Sequence, residues 1–111
     1  MHGIHVLTEA GVTVVSARGE VDAYVAPTLA AAFSDLSEGR VVVDLESVAF
    51  MDSTALGAVV RAVRELGEAG SAVRVVLPRG PARRVFELTA VDRILPVERS
   101  RADAIAALAA S

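Results

Sequence analysis

The chain contains no cysteine, no tryptophan and no lysine. Without cysteine it has no disulfide framework, no thiolate metal site and no cysteine nucleophile, a usage that fits a cytoplasmic protein. Without lysine it has no Walker A loop, no Schiff-base chemistry and no lysine general base. Its 11 basic residues are all arginine and are outnumbered by 14 acidic ones, for a net charge of -3. That balance lacks the electropositive footprint of a nucleic-acid binder, and no nucleic-acid partner is expected. Aromatics make up only 4% of the residues, so valine, leucine, isoleucine and alanine must fill the core. No apolar run approaches the ~20 residues that span a bilayer, and Met1 to Leu7 carries no basic leader, so no membrane association is expected.

What is present describes one domain over residues 1–111, with 53% hydrophobic and 23% charged residues. A chain of this size buries roughly 65% of the surface its unfolded form exposes, enough for a true core.

Ile4 to Thr8 and Val12 to Arg18 flank the turn residues Glu9-Ala10-Gly11 and read as a β-hairpin. Pro27, tolerated only in a first helical turn, opens a helix to about Leu36 with Leu29, Ala32, Phe33 and Leu36 inward and Gly39 as its stop. Arg40 to Leu45 is a nearly continuous apolar run, as expected of a strand covered on both faces in mid-sheet. Glu46 to Met51 reads as a loop anchored by Val48 and Phe50. A second helix follows, with Leu56, Val59, Val60, Val63 and Leu66 at helical spacing and Gly70 at its end. Ala72 to Leu77 is a strand and Ala82 to Thr89 a short helix with Val85, Phe86 and Leu88 in its pattern. Ile94 to Val97 is a last strand, and Arg101 to Ala110 a closing helix with Ile105 and Leu108 inward. The fold class is α/β: a mixed, largely parallel sheet of four to five strands with an N-terminal β-hairpin and about four helices.

Chemistry concentrates at Asp52-Ser53-Thr54, three successive helix-capping candidates after the central strand. The plainer interpretation is that Asp52 or Ser53 caps the helix and does nothing more. The functional one is that a serine hydroxyl at a helix start is exposed, with free amides and the positive dipole end nearby to accommodate a phosphate. Thr54, Ala55, Gly57 and Ala58 follow, small side chains that let a partner approach closely. Asp22 is either a turn residue or part of an acidic rim with Glu20. Asp44, at a strand end, reads as structural.

Asp44-Leu45 through Gly57, with Gly19-Glu20-Val21-Asp22 followed by Ala26-Pro27, resembles the signature of the STAS domain of stand-alone bacterial anti-sigma factor antagonists. Arg84 to Thr89 and Leu95-Pro96-Val97 fall where that family has its third helix and last strand, so the resemblance covers nearly the whole chain. Ala55 stands where many members have glycine, a helix-compatible exchange. The resemblance implies a non-enzymatic regulator without cofactor. Its unphosphorylated form binds an anti-sigma factor that is itself a serine kinase of the GHKL type and frees the sigma factor. Phosphorylation of Ser53 switches binding off, and a PP2C-type phosphatase resets it. Asp22, Asp52, Ser53, Thr54, Ala55, Gly57 and Ala58 are the implied partner-binding residues. The alternative within the family is a constitutive interaction subunit of a transporter or sensory complex.

Other chemistries find less footing. Ser53 is not in a Gly-x-Ser-x-Gly elbow, and the two histidines, His2 and His5, sit on the opening hairpin as solvated side chains. Asp52 could mimic a receiver phosphoacceptor, but the lysine and the paired acidic cluster of receivers are missing. Glu20, Asp22, Asp44 and Asp52 have no metal-ligand spacing. Arg79, Arg83 and Arg84 read as a solvated basic face.

Overall fold

The computed structural model describes residues 2–110, the side chain of His2 excepted, so the expectation for that side chain lies outside the described residues. Strands β1 (His2–Glu9) and β2 (Val12–Val21) form the expected antiparallel hairpin. Ala10 and Gly11 both take positive φ, 54° and 75°, the pairing a two-residue hairpin turn requires to match strand twist. Strands β3 (Arg40–Met51), β4 (Ala72–Val76) and β5 (Val97–Glu98) add in parallel, giving a five-stranded sheet in the order β1-β2-β3-β4-β5. Each parallel step is made by a crossover carrying a helix: α1 (Ala26–Ser34), α2 (Ser53–Glu68) and α3 (Arg83–Leu88). Right-handed crossovers along a sheet that grows in one direction place all three helices on one face.

Two cores result. The larger lies between the sheet and α1 to α3, where Val15, Val43, Leu45 and Val75 meet Leu29, Phe33, Val59 and Phe86. The smaller lies on the opposite face, where α4 (Arg101–Ala109) sets Ala104, Ile105 and Leu108 against Val12, Val14, Val42 and Val76. Adjacent valines of β2 and β3 therefore point into different cores, which explains why Arg40 to Leu45 reads as uninterrupted apolarity. Asp44 is the buried exception at 5% exposure. Its Oδ2 accepts from Arg101 Nε at 2.7 Å, its Oδ1 from the Glu46 amide at 3.0 Å, and Arg101 Nη2 reaches Ser16 Oγ at 3.2 Å. This peg fastens the start of α4 to the sheet, in keeping with a structural role for Asp44.

Four expectations are corrected. Glu46 to Met51 is not a loop but the second half of β3, which stays paired to β2 because register shifts between Ser16 and Arg18 and between Gly19 and Glu20 absorb the mismatch. Within it Val48 is buried as an anchor, whereas Phe50 is 51% exposed. Leu88 points outward at 75% exposure, because α3 is too short to bury more than the Phe86 side of its surface. The last strand is Val97–Glu98; Ile94 ends a 3-10 turn over Val91–Arg93 and is 71% exposed. On α2 the fully buried line is Ala55, Leu56, Ala58, Val59, Ala62 and Leu66, with Val60 and Val63 at its margin.

Candidate functional site

The site is a corner where the end of β3 turns into α2. Asp52 adopts an extended conformation and is the N-cap of α2, its Oδ1 accepting from the Ala55 amide at 2.9 Å. Its other oxygen, Oδ2, accepts from the Ala23 amide at 2.9 Å, across 29 residues of sequence. One carboxylate therefore both starts the helix and ties down the β2–α1 turn. Asp22 organises that turn from within: its Oδ1 accepts from the amides of Tyr24 at 3.0 Å and Val25 at 3.1 Å. Its carbonyl accepts from the Val25 and Ala26 amides. These bonds are the geometry of an Asx turn running into a helix whose second residue is Pro27.

The capping question is thereby answered: the cap is Asp52, and Ser53 is the first helical residue. Ser53 is exposed and its hydroxyl makes no hydrogen bond among the described residues. The Ser53 and Thr54 amides precede the first intrahelical bond, from Leu56 N–H to the Asp52 carbonyl, and remain open. A helix of 16 residues aims its positive dipole end at this corner. The site thus holds an unencumbered nucleophilic oxygen beside an aspartate whose two oxygens are both engaged. No imidazole or carboxylate is hydrogen-bonded to that hydroxyl among the described residues.

The other sequence-predicted residues divide by exposure. Thr54 faces outward beside Ser53, and Gly57 is half-buried one turn further on. Ala55 is wholly buried and Ala58 nearly so, so their small size serves the close seating of α2, with Ala58 reaching only the wall of a shallow hollow that Ala23, Pro27 and Thr54 also line. Asp22 and Asp52 are half-buried and converge on one turn, while Glu20 stands exposed on β2 just before it. Among the described residues no group of His, Asp and Glu side chains is arranged to hold a metal ion. No described helix is long and apolar enough to cross a membrane. Two of the three clustered arginines are engaged, Arg79 with Glu46 at 3.0 Å and Arg83 with Glu87 at 3.6 Å.

Sequence reasoning passed over Tyr24. It stands on the clasped turn with 85% of its surface exposed, more than any other large apolar side chain described. The signal available was one aromatic between small residues, Asp22-Ala23-Tyr24-Val25-Ala26, in a chain poor in aromatics.

Comparison with known proteins agrees with this geometry. The family model of the STAS domain matches residues 4–104. The anti-sigma-B factor antagonist of Listeria monocytogenes is 35% identical over 83 residues, 72% of this chain and 73% of that protein. The crystal structure of an anti-sigma factor antagonist from Mycobacterium paratuberculosis is similar with a TM-score of 0.83 and 34% identity, covering 97% of this chain and 94% of that one. An anti-sigma-factor antagonist (STAS) domain protein from Planctomyces limnophilus gives a TM-score of 0.76 at 28% identity, with coverage of 97% and 98%.

Proposed function

The chain belongs to the STAS domain family, and from that premise we propose that it is an anti-sigma factor antagonist controlled by phosphorylation of Ser53. In its unmodified form it binds an anti-sigma factor through the α2 corner and so releases a sigma factor. That anti-sigma factor is a GHKL-type serine kinase, the modification is reversed by a PP2C-type phosphatase, and the exchange takes place in the cytoplasm. The chain itself catalyses nothing.

The observation that carries this reading is the division of labour between Asp52 and Ser53. A serine that served only to cap would spend its hydroxyl on a backbone amide; here the cap is Asp52 and the Ser53 hydroxyl is free. In the kinase complex the Ser53 Oγ attacks the terminal phosphorus of ATP, a new O–P bond forms, the bond to ADP breaks, and ADP leaves. The hydroxyl proton goes to a base on the kinase, since no side chain of this chain is hydrogen-bonded to that hydroxyl among the described residues.

The product carries about -1.5 to -2 charge beside Asp52 and Asp22, on a chain already at -3. The open Ser53 and Thr54 amides and the helix dipole make that charge tolerable to the fold. Burying it against a partner without matching cations costs several kcal/mol, so the contact is lost without any need to refold the domain.

The test is incubation of the purified chain with a cognate GHKL anti-sigma kinase and labelled ATP, together with titration of the same kinase by Ser53→Ala and Ser53→Glu. Label on wild type and none on Ser53→Ala is expected, with affinity retained by Ser53→Ala and lowered at least tenfold, about 1.4 kcal/mol, by Ser53→Glu. Equal binding by all three, with no label on wild type, would reject the switch in favour of a constitutive interaction subunit.

A further inference from the structure

We propose that β1 is a self-association surface: two copies of this chain pair their β1 strands antiparallel about a two-fold axis at Val6, joining their sheets into one, with Glu9 of each copy ion-paired to Arg18 of the other. The inference does not depend on the phosphorylation reading above.

The two edges of the sheet are finished differently. At one end of the strand order β5 is only two residues long, whereas at the other β1 runs for eight. β1 pairs with β2 from His2↔Gly19 to Glu9↔Val12 without a register shift, so no bulge twists it out of line. It contains no proline and no lysine. Short length, bulges, prolines and lysines are how sheet edges ordinarily refuse a further strand, and β1 uses none of them. His5 to Glu9 are all exposed, with Val6 at 51% on one face and Leu7 at 37% on the other. Because Glu9 and Val12 flank a two-residue turn, their main chains bond to each other, and those of Leu7 and His5 turn toward β2 as well. The amides and carbonyls of Ile4, Val6 and Thr8 alternate with these and point outward, a row of open donors and acceptors.

A second copy fits this row, and charge fixes the register. With Val6 opposite Val6, Ile4 meets Thr8, and all three outward residues of each strand enter the ladder. Leu7 then lies opposite His5, and Glu9 comes opposite Gly3. Within one chain Gly3 is paired with Arg18, and Arg18 lies across it: a Cβ on Gly3 would sit 3.2 Å from Arg18 Nε and 3.2 Å from His5 Nε2. The bare glycine therefore lets the guanidinium reach over β1 toward its outer edge, where Glu9 of the second copy arrives. Neither the Arg18 nor the Glu9 side chain has an ion pair or hydrogen bond among the described residues. The two-fold axis repeats the pair, so two unspent cations meet two unspent anions in one interface. Neighbouring registers lose this match. With His5 on the axis, two His5 rings face each other and Glu9 falls past the paired stretch; with Leu7 on the axis, Glu9 meets His5 and Ile4 drops out of the ladder. No residue from Gly3 to Glu9 belongs to the Ser53 corner, so the pairing does not draw on it.

The experiment is sedimentation velocity of the full chain from about 1 to about 300 µM, the range over which a small interface of this kind exchanges partners. Wild type should pass from monomer to dimer across that range, and hydrogen exchange at the Ile4, Val6 and Thr8 amides should slow as concentration rises. Val6→Pro removes the outward N–H on the axis without touching a bond to β2, and Val6→Lys sets like charges across the axis; both should stay monomeric. Glu9→Arg and Arg18→Glu should each weaken the dimer by about tenfold or more, and Glu9→Arg/Arg18→Glu, which exchanges the charges, should return to within about threefold of wild type. Circular dichroism melts show whether each variant is folded, and Val6→Lys carries the test if the proline variant is not. A wild type that stays monomeric at every concentration overturns the proposal. So does a dimer that survives both changes at Val6, or one for which the charge-exchanged double variant is as weak as the singles.

Discussion

Replacing Asp52 by alanine removes two bonds with one change, and the structure lets their sizes be separated. The Oδ1 bond to Ala55 is an N-cap, worth about 1 kcal/mol. The Oδ2 bond to Ala23 is a charge-assisted contact in a partly exposed place, for which about 1 kcal/mol is a fair net value. Together they amount to about 2 kcal/mol. At about 2.1 cal/mol/K per residue, unfolding of this 111-residue chain carries an entropy of about 0.23 kcal/mol/K, so Asp52→Ala should lower Tm by about 9 °C. Asp52→Ser keeps a cap for Ala55 but cannot reach Ala23 as well, and should lose about half as much. Hydrogen exchange supplies the local reading: the Ala23 amide should lose protection in both variants, and the Ala55 amide only in Asp52→Ala. Ser53→Ala, which removes no hydrogen bond, should stay within about 0.5 kcal/mol of wild type. A fall of less than about 3 °C for Asp52→Ala, or equal falls for the alanine and serine variants, would refute the double role given to this carboxylate.

Two further outcomes test the frame around the site. Arg101→Ala leaves the Asp44 carboxylate buried without its cation and should cost about 3 to 5 kcal/mol in urea unfolding, whereas the double change Asp44→Ala/Arg101→Ala should recover part of that loss. Ala90 holds φ at 59° at the end of α3, a conformation that glycine adopts without strain, so Ala90→Gly should raise Tm by several degrees, corresponding to about 1 kcal/mol. An unchanged Tm would mean that the turn relaxes elsewhere.

The sheet class, the hairpin and the opening of α2 were legible because each rests on a local signal: Glu9-Ala10-Gly11 for the turn, the Val41–Val43 run for a strand covered twice, Asp52 before an apolar period for the cap. What escaped depended on distant residues. Glu46 and Ser47 interrupt the apolar run and look like loop, but the irregular register against β2 keeps them in the ladder. Leu88 and Ile94 satisfy the periodicity of buried residues, yet α3 and the turn after it are too short to carry both faces inward. At the site, the sequence could show three candidate caps in a row but not which one was spent. That was decided by the Ala23 amide, 29 positions away, which recruits Asp52 and leaves Ser53 unused. The arginine pegging α4 to Asp44, 57 positions apart, was equally out of reach of any window.

The separate small core under α4 has a consequence for how the chain is made. Val12, Val14, Val42 and Val76 emerge early or midway in synthesis, but the side chains that cover them, Ala104, Ile105 and Leu108, are among the later residues translated. A ribosome-bound chain can close the face that bears α1 to α3 while the other side of its sheet still shows a bare row of valines. That interval is when the nascent protein is most prone to stick to its neighbours, and the Arg101–Asp44 peg, at the leading end of α4, is placed to seat the helix as soon as it forms.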